Sequence, residues 1–520
     1  VVGSMPENSS PTVENCVYTG DINITVAAGS VAGIVGYIRT GTIQNCANQG
    51  GISVSGSGDG SVGGILGYCN NSKIYIRNCY NSGGIAAEGT ANVGAIVGQN
   101  KSNQATVSNC YYLTGSAAKG QGQSGATGTV VKDNDDFTSG AVCWLLQNGQ
   151  DAQAWGQTLG TDDYPVLTTD EAKRVYAAKL YNGTVVSDIY ATTSGFNRPE
   201  GTNALCVIEN AVSAPTGTNV IVKNGEAYTC ANLVLTDGAD FYTPVAFTAT
   251  EATYTRQPKG YLQSPGDNNG WETLCLPFDG TLHVGNGDDA VPLQPATTSG
   301  TGGYWLRRYT AFTAPNTVCF DDESVAEGHM IKAGVPYLLL LPGAAFGSES
   351  LEGQTISVRG SGVTVSADAP KSVEYGMVRF TGAYVGTTPE LFSYMLDNEN
   401  GNEGTGSLFL PSTNRVNAPF RCRMDITGFN IGGTRTLAIL PEYLVIGNGQ
   451  TTGINMPTAT GDLSVTAVDG RITLKTKAET QVRIYNLSGQ LLWQGTVDGT
   501  ITVPVKAGEA YIVNGRKVIP

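Results

Sequence analysis

Short apolar runs recur along the first part of the chain, and each run is followed by turn residues. Val31, Val62 and Val93 lie in three related phrases, and 31 residues separate each of these valines from the next. Runs of this length between Asn, Ser and Gly residues predict short strands joined by tight turns. The phrases occupy residues 29–36, 60–67 and 91–98, and the Asn-Cys pairs that accompany them are Asn15-Cys16, Asn45-Cys46, Asn78-Cys79 and Asn109-Cys110.

The repeated unit is too short to bury an apolar face of its own. Its pattern predicts one strand at residues 62–67, a second at 74–79 and a third that begins at Ile85. Such units gain a common core only by stacking, so we predict a β-solenoid over residues 1–115, with equivalent strands about 4.8 Å apart. We expect its glycines at corners and its cysteines in a packed ladder. The repeat positions are Gly33, Gly36, Asn45, Cys46, Gly64, Gly67, Asn78, Cys79, Gly94, Gly98, Asn109 and Cys110.

Residues 116–170 predict a polar linker followed by a segment that covers the open end of the stack. Thr138 or Ser139 is placed to cap one short amphipathic helix, and Asn148-Gly149 to end it. A capping role is the economical interpretation, because a stack of strands needs its end covered.

Strand patterns dominate the remainder of the chain. Residues 171–455 predict a central β-sandwich or jelly-roll-like region, with two subdomains as an alternative. Residues 456–520 predict a small sandwich of seven strands. The strands expected in the central region include 219–223, 231–235, 241–247, 252–256, 273–278, 304–309 and 334–341, and those of the last region are 463–468, 472–475, 482–485, 491–496, 501–505, 510–513 and 517–519. The predicted fold class is therefore all-β.

Composition narrows the class of protein further. A chain of 520 residues is longer than a single hydrophobic core normally supports, so more than one domain is expected. A net charge of −14 argues against nucleic acid and against anionic membrane as partners. There is no apolar run near 18 residues, so no transmembrane helix is expected. The chain lacks an initiator Met and opens on what resembles the tail of a repeat phrase, so we expect a mature form or part of a longer protein.

The eleven cysteines are an odd number in a long chain, which is not typical of a secreted disulfide scaffold. We expect mostly buried free thiols. The cysteine ladder lacks the short Cys-x-x-Cys spacing that zinc sites use, so packing is its preferred role.

Candidate catalytic chemistry is sparse. The two histidines are His283 and His329, and a dyad of Cys275 with His329 is conceivable, but Cys275 stands between two leucines in an apparent strand. Paired carboxylates remain open for a glycosidase, but no spacing selects a pair. The acidic residues on apparent loops are Asp267, Asp288, Asp289 and Glu327. No catalytic, cofactor-binding or metal residue is therefore assigned.

Two ligand hypotheses stay open beside these. Residues 397–403 are rich in oxygen ligands and are a candidate Ca²⁺ loop, although they depart from the EF-hand order. Trp144 and Trp155 are a candidate aromatic ligand site, with capping as the preferred role.

The repeat resembles the GLUG-motif repeat of surface and secreted proteins of Gram-negative bacteria, through residues 62–67, their two relatives and the phrase at 78–83. Residues 482–490, 508–513 and 516–518 resemble the C-terminal sorting domain of type IX secretion cargo, although the ending at residues 518–520 is less basic than usual. These resemblances imply export by secretion machinery and an extracellular or outer-membrane location. The phrases at 271–278 and 418–421 are also similar to recurring phrases of uncharacterised β-rich bacterial surface proteins.

The preferred hypothesis is a non-enzymatic surface or secreted protein that adheres to a host glycoprotein, a polysaccharide or a neighbouring cell. One alternative is a carbohydrate-active enzyme or glycan-binding subunit with its site in residues 171–455. Another is a structural stalk for a domain that precedes Val1.

Overall fold

The computed structural model describes most of the chain, with gaps that fall mainly in its last third. The described residues are 2–5, 10–25, 29–56, 58–123, 125–264, 267–296, 303–313, 316–322, 330–388, 392–397, 407–411, 416–427, 443–448, 463–468, 470–476, 479–486, 491–506, 511–513 and 516–518.

Strands dominate these residues, so the protein is all-β as predicted. The described part contains two short α-helices, which we name α1 (Asn134–Thr138) and α2 (Ala141–Gln147). Neither these nor any other helix in the described ranges has the length and apolar character needed to cross a membrane. Short 3₁₀ segments lie at Lys101–Asn103, Glu171–Lys173, Gly287–Asp289 and Ala344–Glu349.

The chain divides into two compact units. The first contains Val1–Val234, Phe241–Ala252 and Ser361–Ala367, and the second contains Leu235–Asp240, Thr253–Gly360 and Asp368–Pro520. Residues 171–455, expected to form a region of their own, therefore contribute to both units.

Stacked repeats form the first part of the first unit. Strands from successive repeats pair in parallel, so each sheet takes one strand from each repeat. The four sheets contain Val2–Ser4, Val35–Ile38, Leu66–Cys69 and Val97–Asn100; Thr12–Tyr18, Gly41–Asn48, Ile74–Asn81, Thr106–Leu113 and Thr129–Lys132; Ile22–Ile24, Ile52–Val54 and Ile85–Ala87; and Ser30–Ala32, Gly58–Gly63 and Thr90–Gly94.

The apolar phrase of each repeat is a corner, and the prediction of one strand over residues 62–67 is wrong. Gly58–Gly63 ends before Gly64, and the next strand begins at Leu66. A Cβ on Gly64 would overlap the backbone of Ala95 and the side chain of Asn81. Glycine therefore allows the chain to turn in close contact with the next repeat along the sequence.

The core of the stack is a set of aligned side chains. Val13, Ile43 and Ile76 lie in register on neighbouring strands, and the cysteines pair in the same way, with Cys16 opposite Cys46 and Cys79 opposite Cys110. The apolar side chains of this core are almost fully buried. At about 25 cal/mol per Å² of apolar surface, this burial is the main force that holds the repeats together.

Both α-helices pack on the outer side of the longest parallel sheet. Asp133 caps α1 through a capping box with Asp136, and α2 starts after Gly140, which has a φ of 93°. The predicted single helix with a cap at Thr138 or Ser139 is therefore wrong, because Thr138 is the last residue of α1. The buried cluster under the helices contains Ala47, Tyr80, Tyr111, Phe137, Val142, Cys143, Leu146, Trp155 and Val175.

The remainder of the first unit consists mainly of antiparallel strands, although Leu205–Ile208 and Val220–Asn224 pair in parallel. The predicted strand at 241–247 is wrong: the strand begins at Phe247, since Pro244 lacks the backbone N–H that a ladder needs. Ala227–Thr236, Phe247–Arg256 and Ile356–Val365 each have residues assigned to both units. The other strands are Trp155–Gly156, Val166–Leu167, Tyr176–Asn182, Val185–Ala191, Leu205–Ile208 and Val220–Asn224.

A ten-stranded sheet is the main element of the second unit, and it packs around an aromatic cluster centred on Phe380. In spatial order its strands are Glu272–Leu274, Tyr337–Leu340, Trp305–Thr313, Thr317–Asp322, Leu444–Asn448, Leu408–Pro411, Ser393–Leu396, Cys422–Ile426, Val378–Gly382 and Ser372–Tyr375. Shorter strands of this unit are Gly280–Val284, Val291–Pro292 and Met330–Ile331.

Seven described strands follow near the C-terminus, as many as predicted. They form a three-stranded and a four-stranded antiparallel sheet over a core that includes Ile472, Leu474, Val482 and Ile484. The strands are Ser464–Val468, Arg471–Lys475, Thr480–Asn486, Leu491–Val497, Thr500–Pro504, Tyr511–Val513 and Arg516–Val518.

Candidate ligand groove

A polar groove of about 900 Å³ lies in the first unit, between the stacked repeats and the segment that follows α2. We call it the amide groove, because seven of its lining side chains are Asn or Gln. Its charged residues are Glu14, Arg77 and Asp151. The full lining is Glu14, Asn15, Gln44, Asn45, Arg77, Asn78, Asn148, Gly149, Gln150, Asp151, Ala152, Gln153, Ala154, Leu167, Thr168 and Thr169.

The floor of the groove is the asparagine row of the Asn-Cys pairs. Asn15, Asn45, Asn78 and Asn109 all have positive φ, between 50° and 55°. Asparagine tolerates this left-handed conformation better than most residues, which explains its recurrence at a bend inside each strand. The bend directs the following cysteine toward the core and leaves the asparagine outside the apolar core.

Helix α2 covers the last member of this row and leaves the other three in the groove. Asn109 Nδ2 donates to Asn78 Oδ1 at 2.7 Å and to the backbone oxygen of Leu145 at 2.9 Å. Asn109 Oδ1 accepts a hydrogen bond from Tyr111. The covered asparagine is thus fixed, and it holds the orientation of the next one.

One side of the floor is a hydrogen-bonded row of longer side chains. Gln44 Nε2 donates to Glu14 Oε2 at 2.6 Å, and Gln44 Oε1 accepts from Arg77 Nε at 2.9 Å and from Arg77 Nη2 at 2.7 Å. The parallel register places these three residues directly beside one another. The row gives this side of the floor an ordered edge of one carboxylate, one amide and one guanidinium group.

The opposite wall, residues 148–154, is held by the buried side chain of Gln147. Its Oε1 accepts from the backbone N–H of Ala154 at 2.8 Å and of Trp155 at 3.1 Å, and its Nε2 donates to the oxygen of Ala152 at 3.0 Å. Gln153 Nε2 donates to the backbone oxygen of Asp170 at 2.7 Å. A wall tied at this many points presents a preformed surface to a ligand.

Among the residues that the structure describes, two buried acceptors of the groove lining have no hydrogen-bond partner. Asn45 Oδ1 is one, on a residue that is only 7% exposed, and Gln153 Oε1 is the other. A buried amide oxygen without a donor costs about 1–3 kcal/mol, and since neither oxygen is exposed to solvent, a ligand donor would reach it only after neighbouring side chains move. The seven amide side chains of the lining, which both donate and accept hydrogen bonds, suit the groove to a polar ligand.

The thiols of the cysteine ladder do not form disulfides in this structure. All eleven cysteines are free, and nine are buried, which confirms the prediction of mostly buried thiols. Burial raises the pKa of the Cys79 thiol well above its usual range. Among the described residues no group of three His, Cys, Asp or Glu side chains is arranged to hold a metal ion.

The candidate catalytic residues of the sequence are scattered or lie outside the described residues. Cys275 is completely buried, and burial raises its thiol pKa well above the usual value, while His329 lies outside the described residues. His283 Nδ1 lies 3.0 Å from the backbone oxygen of Thr281. Asp288 and Asp289 are in a 3₁₀ turn, Asp267 is in a loop, and Glu327 is not described. The candidate calcium loop keeps only Asp397 among the described residues.

Trp144 and Trp155 do not form an open aromatic site. Trp155 is 0% exposed and its ring centroid lies 5.4 Å from that of Tyr80. Trp144 packs against Tyr190, with 5.9 Å between ring centroids. The hypothesis of a shared aromatic ligand site is wrong, because burial removes the face of Trp155 that a ligand would need.

In the second unit, the two phrases singled out in the sequence lie against each other. Cys275 N donates to the backbone oxygen of Phe420 at 3.1 Å, and Cys422 N donates to Thr273 Oγ1 at 3.0 Å. Next to this contact, Arg421 donates from Nη1 and Nη2 to the carboxylate of Asp237 at 2.8 and 2.7 Å. These contacts join distant segments of the chain, which gives the phrases a structural role.

Sequence reasoning named Asn45, Asn78 and Asn109 only as repeat positions and missed the other members of the groove. Glu14, Gln44 and Arg77 each precede an Asn-Cys pair, so their alignment could have been found from the repeat register. Comparisons with protein-family models, with curated proteins and with solved structures find no match to this chain.

Proposed function

We propose that this chain is a non-enzymatic extracellular binding protein that adheres through the amide groove to a polysaccharide or to the glycan of a host glycoprotein or neighbouring cell. In this proposal the stacked repeats are a β-solenoid of the GLUG type, and the antiparallel sheets form β-sandwiches that carry it. The C-terminal strands act as a sorting domain for type IX secretion, which locates the protein at the outer-membrane surface of a Gram-negative bacterium.

The observation that carries this proposal is the polar lining of the groove. Neutral amides outnumber charged side chains there, seven to three. Glycans present many hydroxyl groups and no large apolar surface, so their chemistry matches such a lining. Surface adhesion is a use that fits a preformed groove of this kind, since binding then needs little ordering of the protein.

A glycan array probed with the folded chain tests the proposal. We expect binding to a defined glycan class, with the same result in Ca²⁺ and in chelator, since the groove's lining needs no cation. A blank array from protein that shows a cooperative unfolding transition would overturn the proposal and favour the structural-stalk hypothesis.

A further inference from the structure

The cysteines of the Asn-Cys pairs form a row of free thiols along the stack. In the parallel register each lies opposite the cysteine of the next repeat, and the thiols of neighbouring rungs interact. Each thiol also donates to the backbone oxygen two residues earlier, at 3.2–3.3 Å. The side chains therefore share one local geometry, so successive sulfurs are separated by one strand spacing, about 4.8 Å. The row is Cys16, Cys46, Cys79 and Cys110.

This spacing does not suit a disulfide, but it suits a bridging ion. A disulfide needs about 2.05 Å between its sulfurs and a Cβ–S–S–Cβ dihedral angle near 90°, whereas side chains that project in parallel give a dihedral angle near zero. A bond between a thiolate and a d¹⁰ metal ion is about 2.3 Å long, so an ion midway between two thiolates needs sulfurs about 4.6 Å apart. The row meets this requirement without a change of backbone.

The direction of the row selects the kind of ion. The side chains project at right angles to the row, so an ion between two rungs meets each sulfur at roughly a right angle to its C–S bond. Parallel thiols do not converge on one point, so they do not form the tetrahedral site that Zn²⁺ prefers. In the described part of the chain no group of three metal-ligating side chains occurs either. The row therefore suits soft cations that accept two thiolates in a line.

The outer end of the row is the accessible one. The strand Thr12–Tyr18 lies at the edge of its sheet among the described strands, and Cys16 is partly exposed. Cys46, Cys79 and Cys110 are 0% exposed. An ion from solvent therefore reaches the gap between Cys16 and Cys46 first. A second ion in the next gap would require a straight metal–sulfur–metal angle at Cys46, which does not suit a bridging thiolate, so one ion is expected.

We propose that Cys16 and Cys46 bind one soft cation, Cu⁺, Ag⁺ or Hg²⁺, as two thiolate ligands in a line. Both S–H bonds break heterolytically, and the two protons pass to solvent. A lone pair of each sulfur forms the bond to the ion, whose oxidation state does not change. The bridge ties the edge strand to the next strand of the stack. This site does not depend on the proposed function, since no glycan contact is part of it.

Native mass spectrometry of the full chain with Ag⁺ as the probe tests the inference. The chain is loaded with Ag⁺ and dialysed against an excess of the monothiol N-acetylcysteine. We expect one Ag⁺ to remain per chain, because two thiols held at the right spacing bind an ion more tightly than separate thiols do. Zn²⁺ treated in the same way should be removed completely. X-ray absorption of the retained Ag⁺ should show two sulfur neighbours.

Variants of the row locate the ion. Cys16→Ser and Cys46→Ala should each lose the retained Ag⁺, whereas Cys79→Ala should keep it. Cys319→Ser is the matched control, because Cys319 is the other partly exposed thiol and its neighbours in the sheet carry no thiol. Circular dichroism establishes that each variant is folded. If Cys46→Ala does not fold, Cys16→Ser still decides, since its side chain is only partly buried.

The outcomes are distinct. One retained Ag⁺ with two sulfur neighbours, lost with Cys16 or Cys46 and kept in the other variants, would support the site. Retention of Ag⁺ by folded Cys16→Ser, or its loss from Cys79→Ala or Cys319→Ser, would overturn the inference. An unchanged chain that keeps no Ag⁺, or a retained ion with three or more sulfur neighbours, would overturn it as well. A blank glycan array would leave this inference in place.

Discussion

The Tyr80 hydroxyl donates a 2.7 Å hydrogen bond to the backbone oxygen of Pro165, 85 residues further along the chain. It also accepts a hydrogen bond of 2.6 Å from Gln49 Nε2. The ring lies between Phe137 and Trp155, with centroid distances of 5.7 and 5.4 Å. One buried side chain therefore joins two neighbouring repeats to the segment that follows α2.

Tyr80→Phe should lower the free energy of unfolding of the first unit by about 1–2 kcal/mol. The substitution keeps the ring and leaves the Pro165 oxygen and the Gln49 amide without their partner, which is the costly case for buried polar groups. Thermal unfolding measured by circular dichroism tests this predicted loss of stability. Tyr75→Phe is the control, because Tyr75 is 49% exposed and its change should have no measurable effect. Equal stabilities of the two variants would contradict the role given to Tyr80.

Gly64→Ala should destabilise the stacked repeats by about 1–3 kcal/mol, the usual range for forcing extra volume into a packed interior. Its Cβ would overlap the backbone oxygen of Ala95 and the amide of Asn81, which is a fully buried side chain. The comparison is Gly84→Ala, where a Cβ would have no neighbour within 4 Å. Urea unfolding of both variants decides the point, and a loss of stability in Gly84→Ala alone would refute it.

Acid should weaken the second unit through Asp237. Burial alone would raise the pKa of this carboxyl, but the hydrogen bonds and the charge of Arg421 outweigh burial and lower the pKa. A carboxyl with a lowered pKa stabilises the fold fully above its unfolded pKa of about 3.9, and this stabilisation is lost as the pH falls through the lower folded value.

Asp237→Asn should therefore cost about 2–3 kcal/mol at pH 7 and progressively less below pH 4. Urea midpoints between pH 2 and pH 7, followed by tryptophan fluorescence, measure the difference. Glu374→Gln is the control, because the pair of Glu374 and Arg379 is exposed on both sides and should contribute little. A cost for Asp237→Asn that does not change with pH would show that the charge is not responsible.

Thiol reagents should modify Cys16 and Cys319 in the native protein and the other nine cysteines only after unfolding. Cys16 and Cys319 are partly exposed, whereas the remaining thiols are buried. Burial also raises the pKa of Cys69 and Cys206 to about 12, so little reactive thiolate exists at neutral pH. Mass spectrometry after alkylation, with and without denaturant, counts the modified sites. Rapid native labelling of Cys79 would contradict the closed core of the stack.

Local patterns predicted much of the fold. The last seven strands were predicted nearly to the residue, because each has strong β-propensity and is bounded by turn residues. The prediction of one strand at 62–67 failed because two adjacent glycines turn the chain inside an apolar run. The periodicity of apolar residues does not reveal a corner of this kind. The prediction that the helix begins at Thr138 failed because Asp133, five residues earlier, caps a separate first helix.

The groove was less accessible to prediction. Its floor follows from the repeat register, and the asparagines were visible as repeat positions. Its wall, residues 148–154, depends on the buried amide of Gln147, and an isolated glutamine in a sequence gives no signal of such a role. The partner of each wall residue is set by the packing of α2 on the stack, which only the structure reveals.

The Asn-Cys pairs keep their alignment although the distance between them varies. Asn15 and Asn45 are 30 residues apart, Asn45 and Asn78 are 33 apart, and Asn78 and Asn109 are 31 apart. The turn between Val35–Ile38 and Gly41–Asn48 has two residues, whereas the equivalent turn before Ile74–Asn81 has four. Insertions are thus absorbed at this turn without any slip of the ladders. The turns can therefore differ in length and present new surface, while the phase of the strands preserves the architecture beneath them.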